Sequence, residues 1–218
     1  MDAILLAVAL AALTAGLAGP LLRWCPTPAD ADAAFSSLLS PRLRWALFAT
    51  ATGAGLVVFW LVAPAYWPAW APLVSLGSLL ALIDLRTTFL PLRLTYLGTA
   101  LALAGSGATA WWLGSWLPVL TAAAGGAMAA GFFWVLWRVS RGQLGFGDVR
   151  LAGFIGVTCG ASGLAGVWQA LLLGTIAGAL WGLVVRWRRG ADGAFPYGPA
   201  LLLGPLLALL LNEAWLLW

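Results

Sequence analysis

Long apolar runs alternate with short polar breaks along the whole chain. The runs cover about residues 3–22, 45–63, 68–85, 95–113, 117–137, 151–161, 164–185 and 198–217. A helix needs about 20 predominantly apolar residues to cross the hydrocarbon core of a bilayer. The pattern therefore predicts an all-α, polytopic membrane helix bundle of eight transmembrane helices. The sixth run is short and Gly-rich, and the count becomes seven if it merges with its neighbour. Trp24 to Arg44 is the longest polar stretch, with Pro26, Pro28, Asp30, Asp32, Ser36, Ser37 and Pro41. It reads as a loop with room for a short surface helix. No repeat of fixed period stands out.

Composition agrees with the pattern. Of 218 residues, 63% are hydrophobic and 8% charged, and the mean hydropathy is +0.98. A soluble domain of that make-up would present large apolar patches to water. The partner it calls for is the lipid bilayer. The first run has Asp2 before it and Arg23 after it, whereas a signal peptide carries its positive charge in front. The expectation is a retained helix with its N-terminus outside, a cleaved signal peptide being the alternative.

Charge adds an orientation. All eleven basic residues are Arg, giving a net charge of +4. They fall in four segments, Arg23–Arg44, Arg86–Arg93, Arg138–Arg150 and Arg186–Arg189. With eight spans and an outside N-terminus these segments are all cytoplasmic. The outer connections, Pro64–Trp67, Gly114–Trp116, Thr158–Gly163 and the tail at Trp218, hold no Arg. That partition follows the positive-inside rule. Tyr66, Trp67, Trp70, Trp112 and Trp116 at the outer turns read as an aromatic belt. Arginines set singly or in short groups between apolar runs are not the footprint of a nucleic-acid binder. The expected organisation is one membrane-embedded domain over residues 1–218, with a short cytoplasmic loop at 23–44, in the plasma membrane.

Candidate chemistry is narrow. There is no His, the commonest general base and metal ligand. Cys25 and Cys159 are far apart and form no C-x-x-C pair, which argues against a structural zinc site. No metal and no cofactor is expected. Gly125, Gly126 and Gly131 read as helix-packing positions. Seven acidic residues remain. Asp2, Asp30, Asp32, Asp192 and Glu213 lie at the terminus, in polar loops or near the end of the last run. Asp84 instead closes the apolar run Leu76–Ile83, and Asp148 opens another after Gly145-Phe146-Gly147. An ionisable residue at such a depth is costly and marks function by default. The bland alternative is an interfacial anchor paired with Arg86 or Arg150. Both aspartates fall on the same expected face, the cytoplasmic one.

The phrase Gly145-Phe146-Gly147-Asp148 resembles the G-x-G-D signature of membrane aspartyl proteases, and the prepilin (type IV leader) peptidase family in particular. That family also has an aspartate leading a stretch similar to Ile83-Asp84-Leu85-Arg86-Thr87-Thr88-Phe89-Leu90-Pro91-Leu92-Arg93-Leu94-Thr95. Leu92 departs from the Asp or Asn usual there. Arg150 keeps a basic residue two places after Asp148, where the family commonly has Lys. Phe195-Pro196-Tyr197-Gly198-Pro199 resembles the family's stretch before the last helix. The three stretches occur in the expected order.

The resemblance implies an aspartic endopeptidase with Asp84 and Asp148 as its catalytic pair. Two carboxylates sharing a site do not both ionise cheaply, so one activates water while the other donates a proton. It implies a prepilin or pseudopilin substrate, cut at the cytoplasmic membrane face. Gly145 and Gly147 are expected to supply backbone conformations closed to other residues and a close approach for substrate. Pro91 is expected to stop the helix that carries Asp84. Arg86, Arg93 and Arg150 are either topology signals or supports for the site. Larger family members carry a zinc-binding cytoplasmic domain linked to N-methylation. With only a short segment at 23–44, peptidase activity without zinc or methyl transfer is expected. Presenilin-type proteases share G-x-G-D, but they favour Tyr before the first aspartate, and Ile83 stands there. The non-enzymatic alternative is a transporter or pilus-assembly scaffold.

Overall fold

A computed structural model describes residues 2–27, 34–141, 144–189 and 196–216. Among them there is no strand. The helices are α1 (Ala3–Trp24), α2 (Pro41–Leu61), α3 (Trp67–Pro72), α4 (Ser78–Thr87), α5 (Leu92–Leu113), α6 (Leu117–Val139), α7 (Phe146–Ser162), α8 (Leu164–Arg189) and α9 (Gly198–Leu216). Five continuous stretches are long and apolar enough to cross a membrane: Ala3–Trp24, Pro41–Leu61, Pro64–Thr87, Leu117–Val139 and Leu164–Arg188. The chain is a multi-pass helical membrane protein. Asp30, Asp32, Asp192, Phe195, Trp218 and the side chain of Glu213 lie outside the described residues.

Helix breaks follow local chemistry. Ser40 caps α2, its hydroxyl accepting from the Leu43 N–H, and Pro41 takes the first helical position. Pro64–Thr87 is one stretch with a change of pitch inside it. Pro72 ends α3, and Leu73–Gly77 forms a π turn before α4. Proline has no N–H for the helical ladder, and a π turn absorbs the mismatch. Everything that follows, Asp84 included, is rotated relative to a straight helix.

Among the described residues of the segment before α2, the one helical turn, Phe35–Leu38, is tied inward, because Phe35 is fully buried and its N–H donates to Thr27 Oγ1 at 3.1 Å. Arg93 closes the end of α1 from a distance, with Nη1 donating to the Trp24 carbonyl at 2.6 Å and the guanidinium over the Trp24 ring. A C-terminal helix carbonyl otherwise lacks a partner, and a cation suits the negative end of the dipole.

Small residues bring the helices of the core into close contact. α1 packs on α2, α6 on α7 and α8 on α9. A Cβ added at Gly125 would lie 2.5 Å from the Gly156 carbonyl oxygen, and one at Gly126 2.5 Å from Val157 Cγ2. Backbone contact of that kind is how membrane helices gain van der Waals energy without a hydrophobic drive between them. Gly131 is different, since a Cβ there meets nothing within 4 Å. α7 is the central helix, with every residue from Leu151 to Ala161 buried except Gly153. It stays separate from α8 because Gly163 turns the chain at φ 138°, open to glycine and strained for other residues. The stretch leading to Asp84 is also central: 67% of its apolar window is buried, against 28–33% for the other four. Trp112 and Trp116 are exposed, as a belt requires, but Trp70 is not part of it. Trp70 is buried and its indole Nε1 donates to Ser162 Oγ at 2.9 Å, joining α3 to the end of α7.

Candidate active site

Asp84 sits in the last turns of α4, only 4% exposed, and Asp148 in the first turn of α7, 8% exposed. The two helices are held mainly by different neighbours, α4 by α9 and α2, and α7 by α6, α5 and α8, with α9 also touching α7. Both aspartates nevertheless line one cavity of about 1090 Å³, together with Thr88, Leu90, Gly145, Gly147 and Tyr197. Further along, the wall is a face of α8 with Thr175, Gly178, Ala179 and Gly182, ending at Arg186.

Each carboxylate meets a helix N-terminus. Asp84 Oδ2 accepts the backbone N–H of Gly198, the first residue of α9, at 2.9 Å. An N–H in the first turn of a helix has no partner within the helix, and a carboxylate is a strong acceptor for it. Asp148 is the third residue of α7, and its carboxylate lies within hydrogen-bonding range of the Gly145 backbone at the N-cap. The positive ends of two helix dipoles thus point into the same cavity. Among the described residues neither aspartate forms an ion pair. Arg86 is exposed, and the Arg150 guanidinium turns back over the Phe146 ring and its carbonyl. An interfacial anchor paired with Arg is therefore not the arrangement found.

The two glycines of the G-x-G-D stretch act by lacking a side chain. Neither has a positive φ, so the expected unusual backbone is absent. A Cβ at Gly147 would lie 3.1 Å from Leu90 Cβ, and one at Gly145 3.3 Å from Asp148 Oδ2. Gly147 thus lets the Leu90 loop, which follows α4, close against the start of α7. Pro91 does not end α4 either. Thr88 ends it, in the left-handed region at φ 56° with its N–H on the Asp84 carbonyl, and Pro91 is the N-cap of α5. Its carbonyl accepts from both the N–H and the hydroxyl of Thr95.

Three participants carried no role in the sequence reading: Gly198, Tyr197 and Leu90. Leu90 lies in the first motif and the other two in the third. The motifs signal their neighbourhood, but nothing in their spelling says that a backbone N–H reaches Asp84.

A bundle of membrane helices holding two buried carboxylates around one cavity defines a class of polytopic membrane protein built around a carboxylate pair. A family model, the Type IV leader peptidase family, matches residues 71–185, more than half of the chain and inclusive of both aspartates. The chain belongs to that family. It is 32% identical over 192 residues to the prepilin leader peptidase/N-methyltransferase of Burkholderia pseudomallei, in strains 1026b and K96243, covering 84% of this chain and 55% of each relative. A protein of the same name from Xanthomonas campestris pv. campestris is 32% identical over 123 residues, which is 55% of this chain and 41% of that relative. The chain spans about half the length of the curated relatives it matches. No solved structure matches it.

Proposed function

We propose that this protein is a membrane aspartic endopeptidase that removes the leader peptide of prepilin-like proteins, with Asp84 and Asp148 as its catalytic pair. The observation that carries the proposal is the convergence of two buried carboxylates from different helices on one cavity. Membership of the type IV leader peptidase family supports the substrate class. In this reading the pair shares one proton and titrates as a unit. The ionised carboxylate takes a proton from water as that water attacks the scissile carbonyl. The protonated one hydrogen-bonds the carbonyl oxygen, then passes its proton to the departing amine. Gly145 and Gly147 let the Asp148 carboxylate and the Leu90 loop close on the start of α7, and Pro91 shapes that loop. The peptidase half of the relatives' double name is the half proposed here.

The test is co-expression with a prepilin, followed by a gel shift for the shortened product. Wild type is expected to cleave, and Asp84→Asn and Asp148→Asn each to lose at least about a thousandfold in rate. Cleavage by either variant at the wild-type rate sinks the dyad; a wild-type protein that yields no shortened product leaves the transporter or scaffold reading.

We also propose eight crossings, an outside N-terminus and a cytoplasmic active site. The position of all eleven Arg in four of the connecting segments supports this. The cut then falls where a basic leader in the cytoplasm meets the apolar helix of the substrate.

A further inference from the structure

We infer that the corner between Tyr197 and Gly198 is a positioning element for Asp84, and that Gly198 is required at its place for catalysis. The inference rests on the proposed peptidase reading. Asp84 is anchored to its own helix only through the backbone. Its carboxylate takes its one hydrogen bond among the described residues from the Gly198 N–H, 114 positions away. That donor is not free to move. It belongs to the first turn of α9, where Pro199 follows and the Leu201 N–H closes the turn on the Tyr197 carbonyl at 3.1 Å.

The space around the donor is also closed. A Cβ on Gly198 would lie 2.8 Å from Asp84 Oδ2, 3.3 Å from its Cγ and 3.5 Å from its Cβ. Any side chain there would collide with the carboxylate that the N–H holds. The Gly198 φ is not in the left-handed region, so the restriction is one of space and not of backbone shape.

The corner has a seat of its own. The Tyr197 ring packs on Gly178 of α8 so closely that a Cβ at Gly178 would collide with it, and its hydroxyl bonds to Thr175 one turn earlier. α8 lines the same cavity as the aspartates. Support therefore runs from Gly178, through the Tyr197 ring, to the Gly198 N–H and the Asp84 carboxylate. Gly198 and Tyr197 fall outside the residues matched by the family model, yet they complete the site inside it.

The test uses the full-length protein in detergent with a purified prepilin, measuring kcat, KM, the pH profile of kcat and thermal unfolding. Gly198→Ala is expected to lower kcat on the order of 100-fold, the cost of about 1 Å of misplacement, with KM within about twofold of wild type. Its pH profile should change shape, because the environment of a titrating carboxylate has changed. A variant that merely reduces the folded fraction scales the whole profile down and leaves its limbs in place. Gly178→Ala is expected to reproduce the kcat loss in milder form from the far side of the ring. Tyr197→Ala should lose kcat, and Tyr197→Phe, which keeps the ring but not the bond to Thr175, should lose less of it. If Gly198→Ala does not fold, the Gly178 and Tyr197 variants carry the decision. Wild-type kcat and pH profile in Gly198→Ala, or in both Gly178→Ala and Tyr197→Ala, overturn the inference. A wild-type protein that cleaves no prepilin overturns the peptidase reading instead, and the two failures are distinct.

Discussion

Gly198 of α9 donates its backbone N–H to Asp84 of α4 at 2.9 Å. The bond joins the first and third sequence motifs and gives the third one a physical task. The second motif reaches the same place by a different route, with Gly147 seated against Leu90 in the loop that follows α4. Three stretches that are remote in the chain are thereby held within one cavity.

The Gly147–Leu90 contact predicts a compensated defect. Gly147→Ala puts a Cβ 3.1 Å from Leu90 Cβ, so the loop must retreat by a few tenths of an ångström. Prepilin cleavage should fall by about threefold to tenfold. Removing that Cβ with Leu90→Gly in the same chain should restore most of the rate. Measured rates for the two single variants and the double variant decide it; simple additivity would rule out the contact as the cause.

Close packing of α6 on α7 predicts that two glycine substitutions behave oppositely. Gly156 faces the Gly125 backbone and Ala129 Cβ with no space for a side chain. Gly156→Val should destabilise the bundle by about 1–3 kcal/mol or more, as overpacking does. A Cβ at Gly131 meets nothing within 4 Å, so Gly131→Val should unfold at nearly the wild-type temperature. Thermal unfolding in detergent distinguishes the two, and equal shifts would contradict this packing.

The proposed topology predicts the side of each loop. Reporter fusions after Ser40, Thr88 and Arg141 should report cytoplasm, and a fusion after Gly114 the outside. A cytoplasmic signal at Gly114 would remove the eight-crossing arrangement.

The apolar runs were sufficient to locate the helices, because lipid demands both length and hydrophobicity from each crossing. The helix ends match the runs closely: residues 117–137 became Leu117–Val139, and 164–185 became Leu164–Arg189. Asp84 and Asp148 were also recognisable from sequence, since a carboxylate inside or beside an apolar run is conspicuous. Local interactions set these features, so the local sequence carries them.

Packing between distant segments decided the rest. Trp70 spells like an interfacial belt residue, yet its indole finds Ser162 across 92 positions and the side chain is buried. Gly145 and Gly147 spell like sites of unusual backbone, yet their use is the space a Cβ would fill. Pro91 spells like a helix stop, yet Thr88 ends α4 before the chain reaches it. The bond from Gly198 to Asp84 is made by a backbone N–H, a group every residue except proline possesses. No letter of the sequence marks which N–H it will be; only the docking of α9 on α4 selects it.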